Sequence, residues 1–435
     1  RDLVRSRGLG DVYKRQLIIN NKIVVGRDAR ISGKMVEDLV LDTLTKMGVN
    51  VVCLGLSTTP TVEIAVPLEN ADAGIIITAS HNPRNWNALK LLNNKGEFIN
   101  AKDGEKLLKI ANSNPSYKYD SKNIGKIEFN NQYIDTHTDL IINLPLVDAD
   151  LIRSRNFKVV VDAVNGAGAL ALPTMLDMLG CEVIKLDCEP SGVFNRGTEP
   201  LPENLKTLSQ NVIQNNADVG FAVDPDADRL AVVDENGTPL GEEYSLVLAA
   251  DGYINFLKVE KETFVSNLST SLALDKLASS KKCQVIRSAV GEINVVNKMN
   301  ELGSNLGGEG NGGIILRECH LGRDSLVAVT MVLNRMAQSE NKLSVIHQGL
   351  PQYKIVKDKV RIEGVNVEEF LDRVDSIFQD GEKNTIDGLK ITWDDKWVHL
   401  RGSNTEPIIR IYAEALSEEI ATQLIKKVKD QISVS

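Results

Sequence analysis

No stretch of the chain approaches 18 uninterrupted apolar residues, so a membrane-spanning helix is excluded. Cysteine is scarce and scattered: Cys53, Cys181, Cys188, Cys283 and Cys319 form no C-x-x-C pair. An odd, dispersed set argues against a disulfide frame or a zinc site and for reduced thiols in a cytoplasmic protein. Positive charge is not in excess, since 50 Lys and Arg stand against 59 Asp and Glu for a net charge of −9. That balance gives no grip for nucleic acid or an anionic membrane as partner. No G-x-S-x-G occurs, and no glycine-rich loop ends in Lys-Ser or Lys-Thr, so a nucleophile elbow and a P-loop are both missing. What remains is ordinary globular material: 435 residues, 42% hydrophobic and 25% charged, enough for several cores.

Residues 1–16 stand apart. They carry no helical or strand period and are too polar for a signal peptide. Asp11-Val12-Tyr13-Lys14-Arg15-Gln16 reads as the translation of a transposon end used in sequencing libraries, so the segment is expected to be a non-native scar. The alternative is a basic N-terminal arm.

From Lys22 onward, strands alternate with helices. Short β-branched runs such as Ile23-Val24-Val25 and Gly74-Ile75-Ile76-Ile77 are separated by helical patterns such as Lys34 to Met47. Continuous apolar runs joined by helices predict parallel sheets covered on both faces. The pattern restarts near Lys158 and again near Thr263. From about Tyr353 it becomes a helix-flanked set of strands that predicts an antiparallel sheet. The expected architecture is α/β: three consecutive α/β mixed-sheet domains (residues 17–150, 151–244 and 245–351) and a C-terminal α+β domain with an antiparallel sheet (352–435).

Four loops concentrate chemistry. Thr78-Ala79-Ser80-His81-Asn82-Pro83 leaves a buried-type strand at its carboxyl end, where open α/β sheets bind ligands. Ser80 reads as a nucleophilic or phosphorylated serine, or as a Ser/Asn turn that satisfies its own backbone. A Ser80–His81 pair is disfavoured because adjacent residues on an extended chain point apart. In Asp224-Pro225-Asp226-Ala227-Asp228-Arg229, three carboxylates at alternate positions of an extended loop would face one side and call for a cation. Hard oxygen donors suit Mg²⁺. An EF-hand is excluded because Arg229 stands where its sixth position needs Gly and the flanks read as strands. Gly307-Gly308-Glu309-Gly310-Asn311-Gly312-Gly313 would bring backbone close to a ligand while Glu309 and Asn311 bond hydroxyls. Arg401-Gly402-Ser403-Asn404-Thr405-Glu406-Pro407 offers a nest for a phosphate dianion, or an ordinary polar hairpin turn.

In this order, and with Gly26-Arg27-Asp28-Ala29-Arg30-Ile31-Ser32-Gly33 before them, the loops resemble those of the α-D-phosphohexomutase family over about residues 22 to 435. The resemblance implies four domains around a central cleft, each lending one loop. It implies that Ser80 carries the phosphoryl group beside Mg²⁺ held by Asp224, Asp226 and Asp228, with Arg229 and Lys90 at the reaction centre. Glu309 and Asn311 would bind the sugar, and Arg401, Ser403, Asn404 and Thr405 its non-reacting phosphate. His81, Asn82, Arg27 and Arg30 would support the serine loop. The implied reaction moves a phosphate between C6 and C1 of a hexose phosphate through a hexose 1,6-bisphosphate, which also acts as activator. The Gly-rich loop resembles a variant often assigned to glucosamine phosphate, with glucose and mannose phosphates as the alternative. A non-catalytic sugar-phosphate-binding relative would show erosion of Ser80 or the Asp trio, and neither is eroded. A phosphatase that releases the Ser80 phosphate to water is the further alternative, separated by assaying mutase activity against phosphate release. The chain departs from the family pattern at Ala88, where Gly is usual, at Glu292, where some members have His, and before Ile23, where an opening strand and a G-I-R-G-like segment are expected.

Overall fold

The computed structural model describes residues 20–113, 122–361, 367–402 and 408–431. The expectation for residues 1–16, and the assignments of Ser403, Asn404 and Thr405, lie outside the described residues. The chain divides into two compact units, one running to Leu257 and including Asn311–Ser344, the other made of Lys258–Gly310 and the chain from Val345 on.

The first unit opens with strands β1 (Lys22–Arg27), β2 (Asn50–Leu56), β3 (Ala73–Ile77), β4 (Leu89–Leu92) and β5 (Ile127–Phe129). They are ordered β4-β3-β1-β2-β5, and every neighbouring pair is parallel except β3 with β4. Strand alternation makes two cores from one sheet. Ile23 and Val25 pack with Leu41 and Leu44 of helix Gly33–Lys46, whereas Val24 packs with Val62 and Val66 of helix Thr59–Leu68. Gly26 sits where the β1–β2 register shifts, and a Cβ there would lie 2.4 Å from Val62 Cγ2. Helix Thr59–Leu68 must therefore ride close on the sheet at this point.

A second sheet, β6 (Lys158–Asp162), β7 (Glu182–Leu186), β8 (Val219–Val223) and β9 (Leu230–Asp234), has the order β7-β6-β8-β9 with only β8 and β9 antiparallel. All ten residues of β8 and β9 are buried, which fixes the acidic loop between them at both ends. Helices Glu242–Leu257 and Ser325–Gln338 pack together in the same unit.

In the second unit, β10 (Thr263–Asn267), β11 (Gln284–Ser288) and β12 (Leu306–Glu309) run parallel with β10 central. Strand β13 (Gly313–Leu316) belongs to the first unit. The chain closes on β14 (Lys354–Arg361), β15 (Glu382–Asn384), β16 (Leu389–Thr392), β17 (Trp397–Gly402) and β18 (Ile408–Ala415), an antiparallel sheet ordered β14-β18-β17-β16-β15. Helices Val367–Ile377 and Glu418–Asp430 cover it through Phe370, Val374, Leu424 and Val428. Three α/β mixed-sheet domains followed by a C-terminal antiparallel domain is the fold class that the sequence pattern predicts. Strands β4 and β5 are the additions to that pattern, because neither is a long apolar run and β5 is exposed along its length.

Candidate active site

Strand β3 delivers Ser80 at its carboxyl end, and the β8–β9 loop delivers the acidic trio to the same place. Ser80 Oγ donates to Asp224 Oδ2 at 2.9 Å. Ser80 is not extended. Its φ is +46°, in the left-handed region, so the loop needs outside support to hold it. Arg30 gives that support. Its guanidinium donates to four carbonyls of the serine loop: Ser80 at 2.5 Å, Asn82 at 2.8 Å, Pro83 at 2.7 Å and Trp86 at 3.0 Å. Asp28 Oδ2 holds Arg30 Nε at 3.0 Å and accepts from Thr78 Oγ1 at 2.7 Å, and Thr78 Oγ1 in turn accepts from the Ser80 amide. Burial pushes the Asp28 carboxyl up to about 6, with Arg30 opposing the rise.

Lysine cannot replace this fork, since a single ammonium lacks the planar set of donors. Arg30→Lys should leave the fold intact and lower turnover by about 10- to 100-fold, an expected 1.4–2.7 kcal/mol in the transition state. Steady-state kinetics alongside a thermal melt checks this, and unchanged turnover would remove Arg30 from any positioning role.

The β8–β9 loop is a turn and not the extended segment expected from the sequence. Ala227 has φ +56°, the Ala227 amide bonds Asp224 O at 3.1 Å, and Asp224 Oδ1 accepts from the amides of Asp228 and Arg229 at 3.2 Å each. The three carboxylates converge because Asp224 caps its own turn. Asp226 Oδ2 accepts from Thr59 Oγ1 at 2.6 Å and from Lys90 Nζ at 2.7 Å. Asp228 Oδ2 accepts from Arg323 at 2.7 Å and lies 3.3 Å from Lys90 Nζ. One oxygen from each of the three carboxylates lies within 4.8 Å of the others, and Oδ1 of Asp226 and of Asp228 are buried without a hydrogen-bond partner. Burial and the two neighbouring carboxylates push Asp224 well up. Burial works the same way on Asp226 and Asp228, but the cations and hydrogen bonds around them, Lys90 foremost at the first and Arg323 at the second, together outweigh it, so both are held low. Hard oxygens, two of them unpartnered, fit a small divalent cation such as Mg²⁺.

Around this centre lie the residues that support it. Arg229 pairs with Glu199 at 3.1 Å. His81 Nδ1 is 3.5 Å from Ser80 Oγ, closer than an extended chain would allow, because Ser80 turns. Burial, and then the charge of Arg229, push His81 down to about 3 and keep it neutral at pH 7. Asn82 bonds Ala79 O at 2.9 Å within the loop, and Arg27 faces Glu37 at 3.4 Å instead of Ser80.

The other loops divide between the two units. In the second, Glu309 Oε1 accepts from Asn267 Nδ2 at 2.7 Å and from the Gly291 amide at 2.9 Å. Arg401 pairs with Asp387 at 2.7 Å. In the first, Asn311 Oδ1 accepts from the Gly313 amide at 3.2 Å. A Cβ on Gly312 would stand 2.3 Å from Leu230 O, and one on Gly313 would stand 2.2 Å from Arg323 Cδ. Gly313 thus lets Arg323 pass to Asp228. Sequence reasoning missed Thr59, Glu199 and Arg323, which reach the acidic loop from distant segments of the first unit, and Asn267, which bonds Glu309 within the second, with no motif to mark any of them. Asp28 lies within the early G-R-D-x-R segment, where a signal was available.

Four family models match in succession, described as phosphoglucomutase/phosphomannomutase α/β/α domain I (residues 5–118), domain II (131–237), domain III (241–353) and the C-terminal domain (358–431). The chain belongs to the phosphoglucomutase/phosphomannomutase family. Relatives of this family are mutases. A "Phosphoglucomutase/phosphomannomutase" of Thermococcus kodakarensis is 36% identical over 96% of this chain and 91% of its own length. A "Probable phosphoglucosamine mutase" of Pyrococcus horikoshii is 33% identical over 94% and 90%. Among solved structures, a phosphoglucomutase/phosphomannomutase family protein from Burkholderia thailandensis superposes with a TM-score of 0.84 at 25% identity, covering 99% of this chain and 93% of that one. The chain is thus a phosphohexomutase, an isomerase, and its relatives carry different substrate names.

Proposed function

We propose that the protein interconverts the 6- and 1-phosphates of a hexose through phospho-Ser80 and a hexose 1,6-bisphosphate, with glucosamine phosphate as preferred substrate. The observation that carries this reading is the 2.9 Å contact between Ser80 Oγ and Asp224, which joins the nucleophile to the acidic trio. Asp224, Asp226 and Asp228 would hold Mg²⁺ with an oxygen on Ser80, and the ion would supply charge neutralisation to the transferring phosphoryl group. The chain's own residues do the rest. Lys90 keeps its proton because, although burial opposes the charge, Asp226 and Asp228 outweigh it. Lys90 and Arg229 therefore present fixed positive charge, the main lever in phosphoryl transfer. In the first half-reaction a sugar hydroxyl oxygen bonds to phosphorus as the phosphorus–Oγ bond of Ser80 breaks, and the hydroxyl proton ends on Ser80. The 1,6-bisphosphate then turns over. In the second, Oγ bonds to the other phosphorus as its bond to the sugar oxygen breaks, and the proton goes back to the sugar. Domain assignments follow the four-loop pattern: the serine loop, the metal loop, Glu309 with Asn311 for the sugar, and Arg401 with Ser403, Asn404 and Thr405 for the distal phosphate.

Glucosamine is preferred on the strength of Glu309, not of space. A Cβ on Gly310 would lie 3.1 Å from Thr270 Cα, so that glycine meets protein backbone and opens little room for a substituent. The Glu309 carboxylate, fixed by two N–H donors on one oxygen, would attract a 2-ammonium group. The same carboxylate can accept from the O3 and O4 hydroxyls of glucose or mannose, which makes those phosphates the second reading. Competition of glucosamine 1-phosphate against glucose and mannose 1-phosphates decides the matter through kcat/KM. Glucosamine should win, and a tenfold preference for either neutral sugar, about 1.4 kcal/mol, would overturn the choice.

A further inference from the structure

A second cluster of metal-ligating side chains lies behind the acidic loop and takes no part in the chemistry above. His137, on helix Tyr133–Ile142, and Cys319, His320 and Asp324, in the segment before helix Ser325–Gln338, each place one donor atom within 4.8 Å of the other three. Both imidazoles point Nε2 at a single atom: Asp324 Oδ2 lies 2.8 Å from His137 Nε2 and 3.1 Å from His320 Nε2. Their outer nitrogens face partners of the kind that orient metal-bound histidines. His137 Nδ1 meets Thr61 Oγ1 at 2.9 Å, and His320 Nδ1 lies 3.3 Å from Glu63 Oε2. His320 Nδ1 is buried and makes no hydrogen bond. Asp324 is anchored independently, since its Oδ1 caps the following helix through the amides of Leu326 and Val327 at 2.8 and 3.3 Å.

We propose that His137, Cys319, His320 and Asp324 bind one divalent ion of the zinc class, at a site separate from the acidic loop. Two imidazole nitrogens, a sulfur and a carboxylate oxygen form a borderline-soft, four-donor set that suits Zn²⁺ and is poor for Mg²⁺. The three hard carboxylates of the acidic loop have the opposite preference, so the protein sorts two metals by donor softness. Cysteine spacing in the sequence pointed away from zinc because Cys319 has no Cys partner; its partners are histidines, one of them 182 residues away in the chain. Binding displaces the Cys319 thiol proton and the Nε2 protons that Asp324 now accepts, which pass to solvent. The bound ion would tie the 319–324 segment to helix Tyr133–Ile142. That segment also carries Arg323, which pairs with Asp228, and the Thr58–Thr61 turn carries Thr59, which bonds Asp226. The site is therefore a structural brace for the acidic loop.

The test uses the full-length protein loaded with Co²⁺ and, separately, with Zn²⁺. The cobalt form should show the intense visible bands of a tetrahedral ion together with a near-ultraviolet thiolate-to-cobalt band, at one tightly bound ion per chain. Cys319→Ser should abolish the thiolate band, and Thr61→Val, which removes the outer partner of His137 together with the Thr61 bond to Thr58 Oγ1, should weaken zinc binding by about 10- to 100-fold. Asp226→Asn should leave both signatures in place. Both Cys319→Ser and Thr61→Val are near-isosteric, and circular dichroism verifies that each is folded. An absent thiolate band, or one that survives Cys319→Ser, would overturn the proposal and leave the cluster as a hydrogen-bonded His–Asp–His core.

Discussion

Asp226→Asn is expected to lower mutase turnover by about 10³-fold or more, roughly 4 kcal/mol, at saturating Mg²⁺. Asparagine keeps the shape of the side chain and an acceptor for Thr59, so the loop should still form. It loses the charge that Lys90 and a metal share, and with it one of the two unpartnered carboxylate oxygens. Asp224→Asn should cost activity on the same scale, yet move stability the other way in metal-free protein. Asp224 is a buried carboxylate set against two others, and its carboxyl is pushed well up. A raised acid destabilises the fold as pH climbs past its unfolded value, so a neutral amide removes that penalty at neutral pH. In EDTA the variant should melt higher than the parent, and the gap should shrink as pH falls toward the ordinary carboxylate range. Isothermal titration with Mg²⁺ completes the check. A parent enzyme that keeps full turnover in EDTA, or an Asp224→Asn variant that melts lower at neutral pH, would contradict this account of the trio.

Much of this was legible in the sequence because it is local. Buried strands such as Ile23–Val25 and Val219–Val223 announce themselves as continuous apolar runs, since parallel and central strands are covered on both faces. The reacting groups are also local, packed into short loops at strand ends. Backbone conformation was less legible. Reading Ser80 and the acidic loop as extended gave the right residues for the wrong geometric reason. Positive φ at Ser80 and Ala227 is what turns Ser80 toward His81 and lets Asp224 fold back on its own loop. Neither conformation has a glycine to mark it, because hydrogen bonds from remote residues impose it.

The remainder was hidden because it is non-local. Arg323 reaches Asp228 across 95 positions of sequence, and Thr59 reaches Asp226 across 167. No spacing rule can find such pairs. The glycines of the 307–313 loop were visible but their purpose was not. Read alone, they suggest backbone laid bare for a ligand, whereas Gly312 and Gly313 make way for Leu230 O and the Arg323 side chain. A Gly313→Ala change should therefore disturb Asp228 through Arg323, and its Cβ would also stand 3.2 Å from Asn311 Oδ1.

Ser80→Ala tests the chemistry at its root and should remove essentially all mutase activity, by about 10⁴-fold or more. The variant should fold, because the contacts that hold residue 80 in place are made by its backbone. Arg30 binds its carbonyl and Thr78 Oγ1 its amide, and alanine bears the left-handed φ no worse than serine does. What disappears is Oγ and its 2.9 Å bond to Asp224. Intact-mass measurement should find one phosphate on the parent and none on the variant, while sugar-phosphate affinity changes little, since the proposed phosphate clamp uses other residues. The same pair of proteins separates a mutase from a phosphatase. Ser80 is only 7% exposed, so water has poor access to a phosphoryl group attached there, and release of inorganic phosphate should be far slower than isomerisation. Phosphate release that outpaces isomerisation in the parent would make the enzyme a phosphatase. Near-parental mutase turnover in Ser80→Ala would deny the serine its role as phosphoryl carrier.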